Sequence, residues 1–205
     1  MPGMGDICLL MTRCLQQQIA REFQSGWDYE FLVDDNALSE LRFWKNNLTV
    51  MNGREIQEPP HSFVVYSDAS SFAGGGYIEG LEDLQAHRHF TTDEVSKSRT
   101  FRELLAVQIV LVQLGERFLD SVVLWRLDNS SSRSLSVGSM RPYLQQLALA
   151  INNIARDKNL FIRPQWVKRG QNAHADFISN ISDTDSWRVS NNVFRLFEQK
   201  WDRFL

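Results

Sequence analysis

Two short apolar runs in this chain each end on an aspartate. Phe63-Val64-Val65-Tyr66-Ser67 runs into Asp68, and Val122-Val123-Leu124-Trp125-Arg126-Leu127 runs into Asp128. Runs of this length, rich in β-branched and aromatic residues and bounded by turn formers, read as buried strands. Each acid therefore stands at the carboxyl end of a strand, where open α/β sheets place their ligands. The first run is the candidate for the central strand.

The rest of the chain alternates in kind. Residues 6–24 and about 36–47 carry apolar residues at helical spacing. Asn52-Gly53 marks a turn and Pro59-Pro60 a linker, which puts a boundary near residue 60. After the strand at 63–68, Gly74-Gly75-Gly76 leads into a second strand at 75–79, and a third is expected at 85–90. From Ser98 to Phe118 the set Phe101, Leu104, Leu105, Val107, Ile109, Val110, Leu111 and Leu114 predicts a long buried helix. A strand at 122–127, helices at 130–137 and 141–157 (with Pro142 in its first turn), a strand at 160–167 and a helix at 172–180 follow. The expected fold class is α/β, a mixed five-stranded sheet covered by helices and preceded by a helical segment. The expected divisions are 1–60, 61–182 and 183–205.

Composition sets the outer limits. With 205 residues, 43% of them apolar, 13 Phe and 6 Trp, the chain can bury one sizeable core plus an appendage. No apolar stretch approaches the length of a membrane span. The first residues lack a basic region and a small-residue cleavage site, so a signal peptide is not expected. The two cysteines, Cys8 and Cys14, are poorly spaced for a mutual bridge, which suits a reducing intracellular setting in cytoplasm or nucleus. A net charge of −3 does not advertise nucleic-acid binding, so any such binding needs a local basic patch or metal ions that screen the acids.

Two further acids complete the pattern. Glu103 interrupts the apolar face of the long helix, and Asp176 lies in Asn172-Ala173-His174-Ala175-Asp176-Phe177-Ile178-Ser179. Taken singly, Asp68 suits an Asx turn, Glu103 suits a solvated position or a partner for Arg99 or Arg102, and Asp128 suits a helix cap before Asn129. Taken together, carboxylates at strand ends and on helices facing those ends can converge on a pair of divalent cations. Metal-assisted phosphodiester hydrolysis requires that arrangement. Phe31-Leu32-Val33-Asp34-Asp35 echoes the paired acids of a polymerase site, but no apolar strand follows, and the acids read as a helix N-cap. His87-Arg88-His89 reads as alternation along an exposed strand rather than a metal site.

The local contexts carry a resemblance. Tyr66-Ser67-Asp68-Ala69-Ser70, FRELLAV at 101–107, LDNSSS at 127–132 and WVKRGQNAHADFIS at 166–179 resemble ribonuclease H, in the version carried by reverse-transcribing elements. Within those, the flanks at 37–56 and 182–205 resemble the tyrosine-recombinase (DIRS-like) retrotransposons, in which such segments lie beside ribonuclease H. The resemblance implies a ribonuclease H-like sheet, an N-terminal connection segment after a polymerase domain, and hydrolysis of the RNA strand of RNA–DNA hybrids. It also implies two Mg²⁺ (or Mn²⁺) ions at the acids. Asp68 would bridge both, Glu103 and Asp128 would hold one, and Asp176 the other.

Candidate substrate contacts are Gly75 within its glycine run, Asn129 beside Asp128, and Lys168, Arg169 and Asn172, with Arg163 adding to the basic stretch. The implied partners are the hybrid and a reverse-transcriptase polymerase domain, attached or separate. The chain departs from the family at one place. Where many ribonucleases H carry a histidine ten positions before the last aspartate, this chain has Trp166, and His174 reads as a helix-surface residue rather than its substitute.

Overall fold

The structure, a computed structural model, describes residues 4–26, 28–51, 60–127 and 129–181. Side chains are described for all of these except residues 4–6, 50, 51, 129, 130 and 169. Five strands form one mixed sheet: β1 (Phe63–Ala69), β2 (Ala73–Ile78), β3 (Leu81–His89), β4 (Val122–Leu127) and β5 (Phe161–Trp166), in the order β3-β2-β1-β4-β5. The first three make an antiparallel meander, whereas β4 and β5 run parallel to β1. The expected five-stranded mixed sheet is present, with β1 at its centre.

Eight helices flank it among the described residues: α1 (Met4–Leu10), α2 (Arg13–Glu22), α3 (Asp35–Met51), α4 (Thr92–Ser96), α5 (Arg99–Leu114), α6 (Asn129–Val137), α7 (Pro142–Asp157) and α8 (Ala173–Ser179). The apolar stripe of α5 buries Leu104, Val107, Val110 and Leu111 against Val65, Ile78, Val123 and Trp125 of the sheet, with Leu144 and Ile151 of α7 behind. On the other face α8 lays Ala175 and Ile178 on Tyr66 and Tyr77. A two-sided sheet of this kind explains why the strands read as apolar runs rather than clean alternations.

The glycines of β2 set how closely the helices approach. A Cβ on Gly74 would stand 3.0 Å from Ala106 Cβ of α5, and one on Gly76 would stand 2.1 Å from the Tyr66 carbonyl oxygen and 2.8 Å from Val110. On the opposite face a Cβ on Gly75 would stand 2.7 Å from Ile178 of α8. Three consecutive residues without side chains thus let both helices seat on one strand.

Two expectations need correction. The helix expected over 6–24 is broken at Met11-Thr12 into α1 and α2. Thr12 turns its hydroxyl back to the Cys8 carbonyl at 2.7 Å and does not cap α2. The cap comes instead from Glu40 of α3, only 1% exposed, whose two carboxylate oxygens accept the backbone N–H groups of Cys14 and Leu15, both at 2.9 Å. A carboxylate at a helix N-terminus satisfies orphan donors and opposes the helix dipole. The second correction is α4, which was not anticipated. Thr91 and Glu94 close a reciprocal capping box around its first turn.

The N-terminal helices pack on α6 and α7. Gln145 of α7, fully buried, donates to the Leu10 carbonyl at 2.7 Å and accepts from Ser139 N at 3.0 Å, while Arg13 Nε donates to the Val137 carbonyl at 2.9 Å. Asp34 caps α3 by accepting Ala37 N at 2.9 Å, and Phe31–Val33 form no strand. No described helix is long and apolar enough to cross a membrane. Residues 182–205, which include the helical extension expected over 183–205, lie outside the described residues.

Two substitutions check this account by urea denaturation. Gly76→Ala should lower stability by about 3 kcal/mol, because backbone rather than a flexible side chain blocks the new methyl group. Glu40→Ala should cost about 1–2 kcal/mol through loss of the α2 cap.

Candidate active site

Three of the four proposed acids come from widely separated stretches of chain and meet at the carboxyl end of β1. Asp68 is the penultimate residue of β1 and half-buried; its Oδ1 accepts the Ala69 N–H at 2.8 Å. The strand end is held from both sides. The indole of buried Trp125 on β4 donates to Ser67 Oγ at 2.9 Å, and Asn172 Nδ2 donates to the Ser67 carbonyl at 3.1 Å.

Glu103 lies on the second turn of α5 and is 4% exposed. A carboxylate this deep needs partners, and it has two. Arg99, one turn earlier, donates from Nε to Oε1 at 2.7 Å, and the Ser131 hydroxyl of α6 donates to Oε2. Asp176 lies in the first turn of α8, partly exposed, with its backbone carbonyl accepting from Ser179 Oγ and Asn180 Nδ2.

These charges are felt at Asp68. Burial pushes its carboxyl up to about 6, and the negative charges of Glu103 and Asp176 push the same way. The Ala69 N–H and the Arg99 guanidinium oppose the rise without cancelling it. Mutual repulsion of this kind marks a place where a cation would be welcome. Asp128, the fourth acid, lies outside the described residues.

The donor set is all oxygen and all carboxylate, which suits a hard divalent cation. The described side chains are nevertheless not drawn into a ligand shell. Among the described residues no three histidine, cysteine, aspartate or glutamate side chains are gathered closely enough to hold a metal ion. Each oxygen of Glu103 accepts a hydrogen bond, one from Arg99 and one from Ser131. The acids match a metal in chemistry and charge, with Arg99 placed where positive charge is needed.

The proposed substrate contacts fare differently. Gly75 pairs with Asp68 across the β1–β2 ladder, but Ile178 fills the space above it, so its missing side chain serves packing rather than close approach of a ligand. Asn172 is buried and braces β1, with its Oδ1 lacking a hydrogen-bond partner among the described residues. Lys168 is exposed just past β5, whereas the side chains of Asn129 and Arg169 are not described. Trp166 ends β5 opposite Leu127 and is 52% exposed.

His174 is half-buried on α8. Its ring stands edge-on to Tyr77 at 4.5 Å, and its Nε2 is buried. Sequence reasoning missed Ser131 as a partner of Glu103 and Ser67 as an anchor for Trp125. Only the Arg99–Glu103 spacing of four left a signal in the sequence. A cavity of about 570 Å³, lined in part by Ile7, Leu10, Ile151 and Phe161, opens toward the amino ends of β4 and β5, away from the acids.

An antiparallel meander whose first strand continues through two parallel neighbours, with acids at its carboxyl end, defines the architecture. The sheet is the mixed five-stranded one expected of an α/β fold. No protein-family model and no curated protein matches the sequence. Among solved structures, ribonuclease H1 from the halophilic archaeon Halobacterium salinarum is similar at 15% identity and a TM-score of 0.48, over 57% of this chain and 92% of that one. LC11 ribonuclease H1, in complex with an RNA/DNA hybrid, is similar at 18% identity and a TM-score of 0.43, over 57% and 93%. A foamy viral protease-reverse transcriptase in complex with double-stranded DNA is similar at 12% identity and a TM-score of 0.37, over 75% of this chain and 28% of that one.

The raised Asp68 carboxyl sets a pH dependence. A folded-state value near 6 against an ordinary 3.8 means that the folded protein binds more protons than the unfolded chain between these values. Asp68 therefore subtracts stability as pH rises through that window, and the penalty is complete above about pH 6. Asp68→Asn should stabilise the metal-free protein at pH 8 by on the order of 1 kcal/mol, after discounting for partial exposure. The gain should be much smaller at pH 4, as read by urea denaturation in chelator at both pH values.

Proposed function

We propose that this protein is a metal-dependent endonuclease that hydrolyses the RNA strand of RNA–DNA hybrids. The observation that carries the reading is electrostatic. Carboxylates from β1, α5 and α8 lie near enough at one strand end for Glu103 and Asp176 to raise the Asp68 carboxyl.

Asp68, Glu103, Asp128 and Asp176 are the residues that would hold two Mg²⁺ or Mn²⁺ ions. When bound, the ions would supply Lewis-acid stabilisation of phosphoryl oxygens and a lowered pKa for the attacking water. The chain's own residues set the frame. Trp125 and Asn172 fix the end of β1, and with it the direction of Asp68. Ser131 holds the carboxylate of Glu103 at a fixed orientation. Exposed Lys168, with Arg169 and Asn129, would meet backbone phosphates and sugars, and the hybrid would be read by groove shape and 2′-hydroxyls rather than by base edges.

The sequence flanks at 37–56 and 182–205 support placement within a retroelement of the DIRS-like type. On this reading, residues 1–60 connect to a reverse-transcriptase polymerase domain, residues 61–182 form the nuclease, residues 183–205 form a helical extension, and the protein works inside the cell. A second reading has its own support. Trp166 stands in place of the histidine, and Arg99 occupies Glu103, which favours a weakly active or inactive module that binds nucleic acid or a polymerase partner.

Cleavage of end-labelled RNA annealed to DNA, in Mg²⁺ or Mn²⁺, separates the two. The nuclease reading expects cleavage of the RNA strand, intact duplex DNA, and a loss of at least ~100-fold in Asp68→Asn and Asp176→Asn. Hybrid binding without cleavage in either metal would leave the binding module standing and the nuclease reading refuted.

A further inference from the structure

Glu103 and Arg99 form an asymmetric pair. Glu103 is 4% exposed and fixed on its far side by Ser131, whereas the Arg99 side chain is 63% exposed and attached at the first residue of α5. An ordinary exposed i,i+4 pair contributes a few tenths of a kcal/mol and has no further consequence. This one differs because its acidic half is a buried member of the acid cluster.

We propose that Arg99 is a built-in counter-ion of the acid cluster, seated on Glu103 when no metal is bound and displaced by a metal ion that takes Glu103 as a ligand. The proposal rests on the metal-binding reading above and adds a positioning residue to it. Three observations support it. Glu103 presents both oxygens to donors within the protein, so a cation competes for them. Of the two donors, Ser131 is fully buried and Arg99 is largely exposed, so the Arg99 contact is the one that solvent and ions reach. Arg99 stands at the first residue of α5, at the end of the helix rather than within its packed length.

A carboxylate held by a guanidinium has lower apparent affinity for another cation, by the free energy of the contact that must be broken. Removing Arg99 should therefore strengthen metal binding, the reverse of what loss of a supporting residue does. It should also weaken the metal-free protein, because the buried carboxylate loses its charge partner.

The test is calorimetric titration with Mg²⁺ and with Mn²⁺ alone, without nucleic acid, on wild type, Arg99→Gln and Arg99→Lys. Melting temperatures are read with chelator and with saturating metal. Arg99→Gln should bind metal roughly three- to tenfold more tightly, the range that a contact of ordinary ion-pair strength allows. Its melting temperature should fall in chelator and recover in saturating metal. Arg99→Lys, which keeps the charge, should stay within about twofold of wild type.

A Glu103→Gln background guards against a folding defect in the single variant, since Arg99→Gln should change metal affinity there by less than about twofold. If wild type binds metal and Arg99→Gln binds no more tightly, the counter-ion role is wrong and the nuclease reading is untouched. If wild type binds neither metal, the metal-site reading itself fails and takes this proposal with it.

Discussion

The absence of side chains at Gly74, Gly75 and Gly76 is the constraint on which the rest depends. Gly74 and Gly76 admit α5 on one face of β2, and Gly75 admits α8 on the other. Those two helices carry Glu103 and Asp176, and β1, beside β2, carries Asp68. Packing and electrostatics are thus set by the same three residues. A methyl group at any of them would press a helix outward, and the acid on that helix with it.

Against that packing stands a repulsion. Three carboxylates approach one strand end, one of them almost wholly buried, and the protein offsets the cost locally. Arg99 supplies positive charge, Ser131 and the Ala69 N–H supply donors, and the Ser67 hydroxyl and carbonyl anchor the strand to Trp125 and Asn172. The Asp68 carboxyl stays raised despite these partners, so the compensation is only partial.

Much of this was legible in the sequence, for identifiable reasons. The strand at 122–127 was readable to the residue because its run is apolar at every position but Arg126 and ends sharply, although only alternate residues are fully buried. Asp68 was readable as the residue at a strand's end because it punctuates such a run. The break between α1 and α2 was not, since the group that caps α2 is Glu40, twenty-six residues away. The short α4 was written in the sequence, as Thr91 and Glu94 at capping-box spacing, but it carries too few apolar residues to register as periodic. Ser131 and Asn172 could not be assigned because their partners, Glu103 and the Ser67 carbonyl, are neighbours only in the folded chain.

The side chain of Gln145 has a consequence for how the protein divides. From α7 it spans to the Leu10 carbonyl at one end and to Ser139 N at the other, wholly out of water. A cut at the Pro59-Pro60 linker, where the sequence shows its clearest seam, would strip one of these partners away. It would also uncover the surface on which Ile7 and Leu10 rest. The seam in sequence is therefore not a seam in cohesion. The sheet that carries the acids and the helices that precede it are tied through Gln145 to Leu10 and through Arg13 to Val137, so a unit excised at residue 60 would begin its independent life with a core amide and an apolar face turned to water.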